Sequence, residues 1–480
     1  IPADWVPTLD FRSVGPTHFG GRITDLAVYE DDPSIFYVAA ASGGVLRTTN
    51  AGTTFEHLFN DQPVASVGDV EVWQGDPDVV WVGTGEENPR NSSSWGNGVY
   101  KSTDGGKTWE HMGLEDSFQI GSIRIHPEDP DVVYVGALGR LWGPNEQRGL
   151  FRTTDGGATW ERILDLGDDT GVIDIQLHPE DPDTILAASY TRRRDGFDTN
   201  DPAVKYGPKA GIWRSTDGGD SFERLTEGLP TVDIGRIDIE YYRADPDVVW
   251  AIVETELIGL EPEDMAFMGV QGEDAGAIGA RLTQVTEDGP AEAAGLESGD
   301  IVLKVDGRAT TGGYDGLVRS IRQYRAGDNV SVEYVRDGEV MTTTLTFDRR
   351  PSQTEDAEVD RERARRQSPW GTRLGGQRGN LQDEQGPDGF ERGGIFRSAD
   401  GGDTWERVNS LNPRPMYFSQ MEVDPTDESF IHVGGIALHT SSDRGETFRN
   451  DAHRGANGAV HVDHHAMWVN PNDGRHIILG

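Results

Sequence analysis

An eight-residue pattern, S/T-x-D-x-G-x-T/S-W/F, returns again and again along this chain and leaves few folds open. Residues 102–109 read STDGGKTW, 153–160 TTDGGATW, 215–222 STDGGDSF, 398–405 SADGGDTW and 441–448 SSDRGETF, and a worn copy, TTNAGTTF, occupies 48–55. Every part of the box has a turn-forming role. The aspartate accepts N–H bonds inside a tight turn. The glycines reach positive φ without steric cost, and the closing aromatic opens a strand and packs between sheets. The box aspartates are therefore read as turn-formers rather than catalysts.

A second feature precedes each box: an acidic-Pro turn leading into an apolar strand. Examples are DDPSIFYVA from 31, GDPDVVWVG from 75, EDPDVVYVG from 128, EDPDTILAA from 180, ADPDVVWAI from 244, DPTDESFIHVG from 424 and NPNDGRHIILG from 470. An alternating strand such as ITDLAVY or VIDIQLH stands before the turn. Each repeat thus reads as strand a, acidic-Pro turn, strand b, loop, strand c, box, strand d, which is a propeller blade. The expected fold class is all-β, a seven-bladed β-propeller of four-stranded blades. Its last blade is expected to be incomplete after strand b unless residues 6–14 fill a place. An open edge of this kind invites a partner chain or further domain.

Strand direction puts the a–b turns and the boxes on one face and the b–c and d–a connections on the other. The second face carries every long insertion: 85–98, 139–149, 190–211 and 254–394. Variable loops on a rigid scaffold are where function is expected.

Composition narrows the function classes. The chain has 480 residues and a formal net charge of -40, which argues against nucleic acid as a partner. No apolar run is long enough for a membrane span. The absence of cysteine rules out disulfides and thiolate metal sites. The only lysines are Lys101, Lys107, Lys205, Lys209 and Lys304. Such a surface suits a salty environment, and a genome that writes arginine for lysine gives the same composition. The first residues, IPADW, carry no basic or apolar leader pattern, as in an intracellular chain or one whose signal peptide has been removed.

From 265 to about 348 the blade pattern breaks. LTQVTEDGPAEAAGLESGDIVLKVDG, from 282, resembles the bacterial type of PDZ domain, as on periplasmic trypsin-like proteases. The resemblance implies an inserted α+β PDZ-like domain. AFMGV, from 266, would be its carboxylate-binding loop, 317–324 its groove helix and 330–347 its closing hairpin. Peptide binding would then rest on Phe267, Met268, Gly269, Val270, Leu317 and Ile321, with an added peptide strand along the sheet edge. The expected layout is propeller over 1–258, PDZ-like domain over 262–350, a flexible Gln/Arg/Glu-rich linker over 351–392 and propeller again over 393–480.

Outside the insertion, the boxes and acidic-Pro turns resemble the bacterial sortilin-like and BNR-repeat proteins. GGRITDLAV from 20, NSSSWGNGVYKSTDGGKTW from 91 and HVDHHAMW from 461 carry that resemblance. Residues 20–55 are also similar to the start of Asp-box xyloglucanases. Those enzymes carry an aspartate where this chain has Ser42, so the resemblance lacks one catalytic carboxylate.

On the loop face, HVDHH is the densest polar cluster. Along a strand His461, Asp463 and His465 would point one way and His464 the other. With Glu86 or Glu87 they are candidate ligands for a divalent metal such as zinc or manganese. Otherwise they form a hydrogen-bonded network and the chain needs no cofactor. Glu86, Glu87 and Asp463 are also the candidate acid and base for glycoside hydrolysis. Trp95 and Trp142 are candidate sugar-stacking residues for a polysaccharide. Arg192, Arg193 and Arg194 form a basic cluster suited to an anion. The leading expectation is a secreted or periplasmic binding scaffold for peptide or protein ends. The alternatives are a glycoside hydrolase with its site at the channel mouth and a structural subunit of a larger assembly.

Overall fold

The computed structural model describes residues 21–198, 201–260, 264–276, 279–349, 371–374, 377–382, 385, 388–450 and 462–480. Residues 6–14, RERARR at 361–366 and His461 lie outside these.

The strands b are apolar throughout, and all five residues of Phe36–Ala40, Val80–Thr84 and Val133–Ala137 are buried. The acidic-Pro turn before each is closed by its own aspartate: Asp76 Oδ1 accepts the Asp78 N–H at 2.9 Å, and Asp129 Oδ1 that of Asp131 at 3.0 Å. These units build four-stranded antiparallel sheets in chain order, the first from Ile23–Val28, Phe36–Ala40, Gly44–Thr48 and Glu56–His57. Six such sheets occur among the described residues, followed by the pair Met467–Asn470 and Asp473–Leu479. The first strands of successive sheets lie against one another. Met467–Asn470 lies against both Met421–Val423 and Ile23–Val28, which brings the end of the propeller back to its beginning.

The boxes behave as turn chemistry requires. In the box at 102–109, Ser102 Oγ accepts the Gly106 N–H at 2.8 Å and donates to Asp104 Oδ1 at 2.8 Å. Asp104 in turn accepts the Thr108 N–H at 2.9 Å and its hydroxyl at 2.7 Å. The same set recurs at Asp155, Asp217, Asp400 and Asp443. The closing indoles bridge to the preceding sheet: Trp109 Nε1 donates to Leu58 O at 2.8 Å and Trp160 Nε1 to Met112 O at 2.6 Å. Ser102→Ala strips the buried Gly106 N–H of its acceptor. It is expected to destabilise the protein by about 1–2 kcal/mol, measured by chemical denaturation, with ligand binding unchanged.

A further device joins the sheets at their inner edge. Four innermost strands carry an aspartate at or next to an irregularity in strand pairing: Asp25, Asp69, Asp174 and Asp238. Each accepts a backbone N–H from the innermost strand of the next sheet. Asp25 takes Val70, Asp69 takes Ile123, Asp174 takes Ile239 at 2.9 Å and Asp238 takes Met421 at 2.7 Å. The repeat of this aspartate in ITDLAV, VGDVEV, VIDIQL and RIDIEY is visible in the sequence.

The fifth sheet pairs Val249–Thr255 with Gly394–Ser398, so the insertion leaves between its second and third strands. The inserted domain holds a six-stranded sheet and the helices Pro290–Ala293 and Gly313–Ile321, around a core that includes Leu282, Val302, Leu317, Val332 and Leu345. The groove helix starts earlier than its sequence suggests, after Gly312 at φ 90°, and ends before Tyr324, whose ring stacks on Phe347 at 5.4 Å instead. The return path is less free than its composition implies. Gly371–Leu374 pairs with Gln377–Asn380, and the fully buried Asn380 accepts the Gly259 N–H and donates to Arg392 O, each at 2.8 Å.

Candidate functional site

Two places bring polar groups together. The first is the groove of the inserted domain. Strand Val270–Asp274 forms an edge of its sheet, paired on one side with Ala280–Val285, and helix Gly313–Ile321 packs beside it. The loop before it turns through Gly269 at φ 77°. The Met268 carbonyl accepts Ala291 N at 3.0 Å and the Gly269 carbonyl accepts Thr286 N at 2.8 Å, which fixes the loop from its carbonyl side. The N–H groups of Met268 and Gly269 meet no acceptor among the described residues. Consecutive free N–H groups at a left-handed glycine make an anion-binding concavity. Val270 and Ile321 are partly buried at the border of the core, Phe267 is half-buried, and Leu317 is fully buried. The Met268 side chain lies in the domain core at 2 % exposure, away from the surface where a terminal side chain would dock. Tyr314 lies across the strand: its hydroxyl donates to Val270 O at 3.1 Å and its ring rests on Gly272, where a Cβ would come within 2.5 Å of it.

The second place is the channel between the innermost strands, a cavity of about 120 Å³. Strand direction gives it two chemically different ends. Toward the boxes, Asp25, Glu71 and Glu240 face Arg124, whose guanidinium stands 3.8 Å from both Asp69 and Asp174. Burial pushes Glu71 and Glu240 up to about 7 and Asp69, Asp238 and Glu422 above the usual carboxylate range.

Toward the loops, the channel is held by arginines. Arg22 forks onto Glu86 with two bonds of 2.5 Å. Arg236 donates to Asn88 Oδ1 at 2.8 Å and Tyr417 O at 2.7 Å and lies 3.4 Å from Glu87 Oε1. Burial raises Glu87 to about 7, against the pull of Arg236. Arg192 donates to Glu87 O at 2.5 Å and Gln119 Oε1 at 2.6 Å, and Arg194 to Pro89 O at 2.6 Å. Arg192 and Arg194 are buried, so they clamp the loop at 86–89 from within, and only Arg193 reaches the surface, paired with Asp169 at 3.2 Å. Three further guanidinium contacts converge on Tyr417: Arg90 at 4.8 Å, Arg414 at 5.4 Å and Arg22 at 5.6 Å from its ring centre. The His465 ring meets Tyr417 edge-on at 5.3 Å.

The HVDHH reading changes here. Residues 463–466 are not a strand, because Asp463 turns the chain at φ 73° and the strand begins only at Met467. Asp463 is consequently exposed while His464 and His465 are both buried, rather than alternating. Their backbone N–H groups are spent on Ile436, Gly435 and Gly480 carbonyls. Among the described residues no three His, Asp or Glu side chains are arranged to hold a metal ion. Trp95 and Trp142 are 69 % and 45 % exposed. Arg22, Arg90, Arg236, Arg414 and Tyr417 were not singled out by the sequence.

The fold and these two places define an Asp-box β-propeller carrying a PDZ domain. The PDZ domain family profile matches residues 266–347, and the sortilin/Vps10 profile (sortilin, neurotensin receptor 3) matches 97–255. Xyloglucanase Xgh74A of Acetivibrio thermocellus is 25% identical over 196 residues, 33% of this chain and 22% of that protein. A probable periplasmic serine endoprotease, DegP-like, of Marinomonas sp. is 36% identical over 74 residues, 15% of this chain and 16% of its own. The chain thus spans less than a quarter of the length of these curated relatives. The crystal structure of a GH74 xyloglucanase from Xanthomonas campestris aligns over 88% of this chain and 63% of that one, at 16% identity and a TM-score of 0.37.

Proposed function

We propose that the protein is a secreted or periplasmic binding protein whose propeller serves as a platform for a PDZ domain that captures the C-terminal end of a peptide or protein. The observation that carries this reading is the loop 267–270. Two adjacent N–H groups without an acceptor among the described residues, at the start of an edge strand and beside a helix, offer a carboxylate its donors and a peptide backbone its partner. Val270 and Ile321 supply an apolar border for the last side chain. The DegP-like relative is named as periplasmic, which supports the same compartment. Glu86 has both oxygens engaged by Arg22, an arrangement that suits an anchor of the loop better than a general acid or base.

The test uses the full chain and fluorescent peptides ending in an apolar residue, each as free acid and as amide. The free acid is expected to bind at least about tenfold more tightly, because the amide loses the charge-assisted bonds. Equal binding of the two forms, or none of either, rules the loop out as a carboxylate site.

A further inference from the structure

We propose that Tyr314 is the latch of the PDZ groove: in the free protein it spans the groove from helix to strand and holds the backbone edge that an incoming peptide strand has to use. The inference rests on the reading of this groove as a peptide site and adds how entry to it is controlled. The Gly269 carbonyl accepts the Thr286 N–H at 2.8 Å, so Gly269 faces the neighbouring strand. Backbone groups of successive residues in an antiparallel pair point to opposite sides, which turns the Val270 N–H and carbonyl to the open side. Leu282, the partner of Gly272, spends both its backbone groups on the far side. Its N–H donates to Asp300 O at 2.8 Å and its carbonyl accepts the Gly299 N–H at 2.7 Å. Gly272 therefore faces the open side as well, and an added strand would pair with Val270 and Gly272.

One side chain covers both residues. Tyr314 Oη donates to the Val270 carbonyl at 3.1 Å. Its ring lies where a Cβ on Gly272 would stand, so the glycine is what lets the ring rest against the strand. The backbone sets the ring in place: Tyr314 N donates to Asp274 Oδ1 at 2.8 Å in the first turn of the helix, after Gly312 and Gly313 at φ 90° and 70°. Strand Val270–Asp274 is thus tied at both ends to one residue, at Asp274 by its N–H and at Val270 by its hydroxyl. The hydroxyl gives the Val270 carbonyl the donor that an added strand would otherwise bring. A peptide has to break this bond and displace the ring before it can pair. Tyr314 is only partly buried where it packs on the domain core, so the ring can swing out while the core stays closed. The fraction of molecules with the groove open then scales the apparent affinity.

Fluorescent peptides ending in an apolar residue, as free acid and as amide, are mixed by stopped flow with the full chain and with its Tyr314→Phe variant, which keeps the ring and loses the hydroxyl. In the variant, association is expected to be about three- to tenfold faster and Kd correspondingly lower, for the loss of one hydrogen bond from the closed groove. The sign separates a latch from a structural tyrosine, whose loss would weaken binding or leave it unchanged. The ratio of variant to wild type tests the latch, and the ratio of free acid to amide tests the carboxylate loop, so either can fail alone. Binding seen only in Tyr314→Phe supports the latch as well. Unchanged or slower association in Tyr314→Phe overturns it. Absence of binding of either peptide form to both proteins overturns the latch together with the reading of the groove.

Discussion

Arg236→Met is expected to destabilise the protein by about 3–5 kcal/mol at pH 8, the scale for removing one partner of a buried charge pair. Its guanidinium is 5 % exposed and ties three separate segments to one point: Asn88 and Glu87 in the loop after the second sheet's second strand, its own innermost strand, and the Tyr417 carbonyl ahead of the sixth sheet. Methionine fills much of the volume but removes the Arg236 donors to the Tyr417 carbonyl and Asn88 Oδ1 and the cation beside Glu87. The loss should depend on pH. Burial raises Glu87 to about 7, so at pH 5 it is already protonated and the ion-pair part of the loss disappears. Adding Glu87→Gln should recover part of the stability at pH 8 and little at pH 5. Denaturant melts of the two variants and the double variant at both values measure this. A loss below about 1 kcal/mol, or one that is the same at both, would mean that the arginine holds nothing in place.

The difference between what the sequence told and what it hid follows the range of the interactions. The boxes and acidic-Pro turns are closed by hydrogen bonds that span two to four residues, as at Ser102, Asp104 and Thr108, so their chemistry is written in contiguous letters. The PDZ loop is similarly local, and its matched family span begins at Ala266 within AFMGV. The arginine mouth has no such signature. Arg22, Arg90, Arg236 and Arg414 are separated by whole sheets, and each alone reads as an ordinary solvated arginine. Only the return of strand Met467–Asn470 to Ile23–Val28 brings them to one mouth. One signal was available: in IGRIDIEY, Arg236 shares the alternating phase of Asp238 and Glu240, which points it into the channel. The HVDHH cluster misled for the opposite reason. Strand alternation would have to run through Asp463, whose left-handed backbone breaks it.

Stability of the whole protein should be highest in mildly acid solution and fall as the pH rises from about 5 to 8. The cause lies at the box end of the channel. Glu71 and Glu240 are raised to about 7 by burial, and Asp69, Asp174, Asp238 and Glu422 are raised as well. Asp25 and Glu30 face them with like charge, and Arg124 and Arg243 with opposite charge. Between their unfolded values near 4.5 and their folded values near 7, the folded state binds more protons than the unfolded one. Stability is therefore full below about 4.5 and is lost through about 7. The box aspartates act in the other direction. Turn hydrogen bonds hold Asp104, Asp155 and Asp217 down to about 2, so their contribution disappears only as the pH falls below about 4. The two sets leave a maximum between. The expected loss from pH 5 to pH 8 is a few kcal/mol in sum, on the order of one fully shifted carboxyl. Surface repulsion in so acidic a chain gives a slope of the same sign. Melts in about 1 M salt separate the two, since salt screens exposed charges and leaves the channel cluster little changed. A slope that survives high salt and is reduced in Glu71→Gln and Glu240→Gln locates it in the channel. A profile that is flat at high salt, or unaltered in both variants, would place the whole pH dependence on the surface.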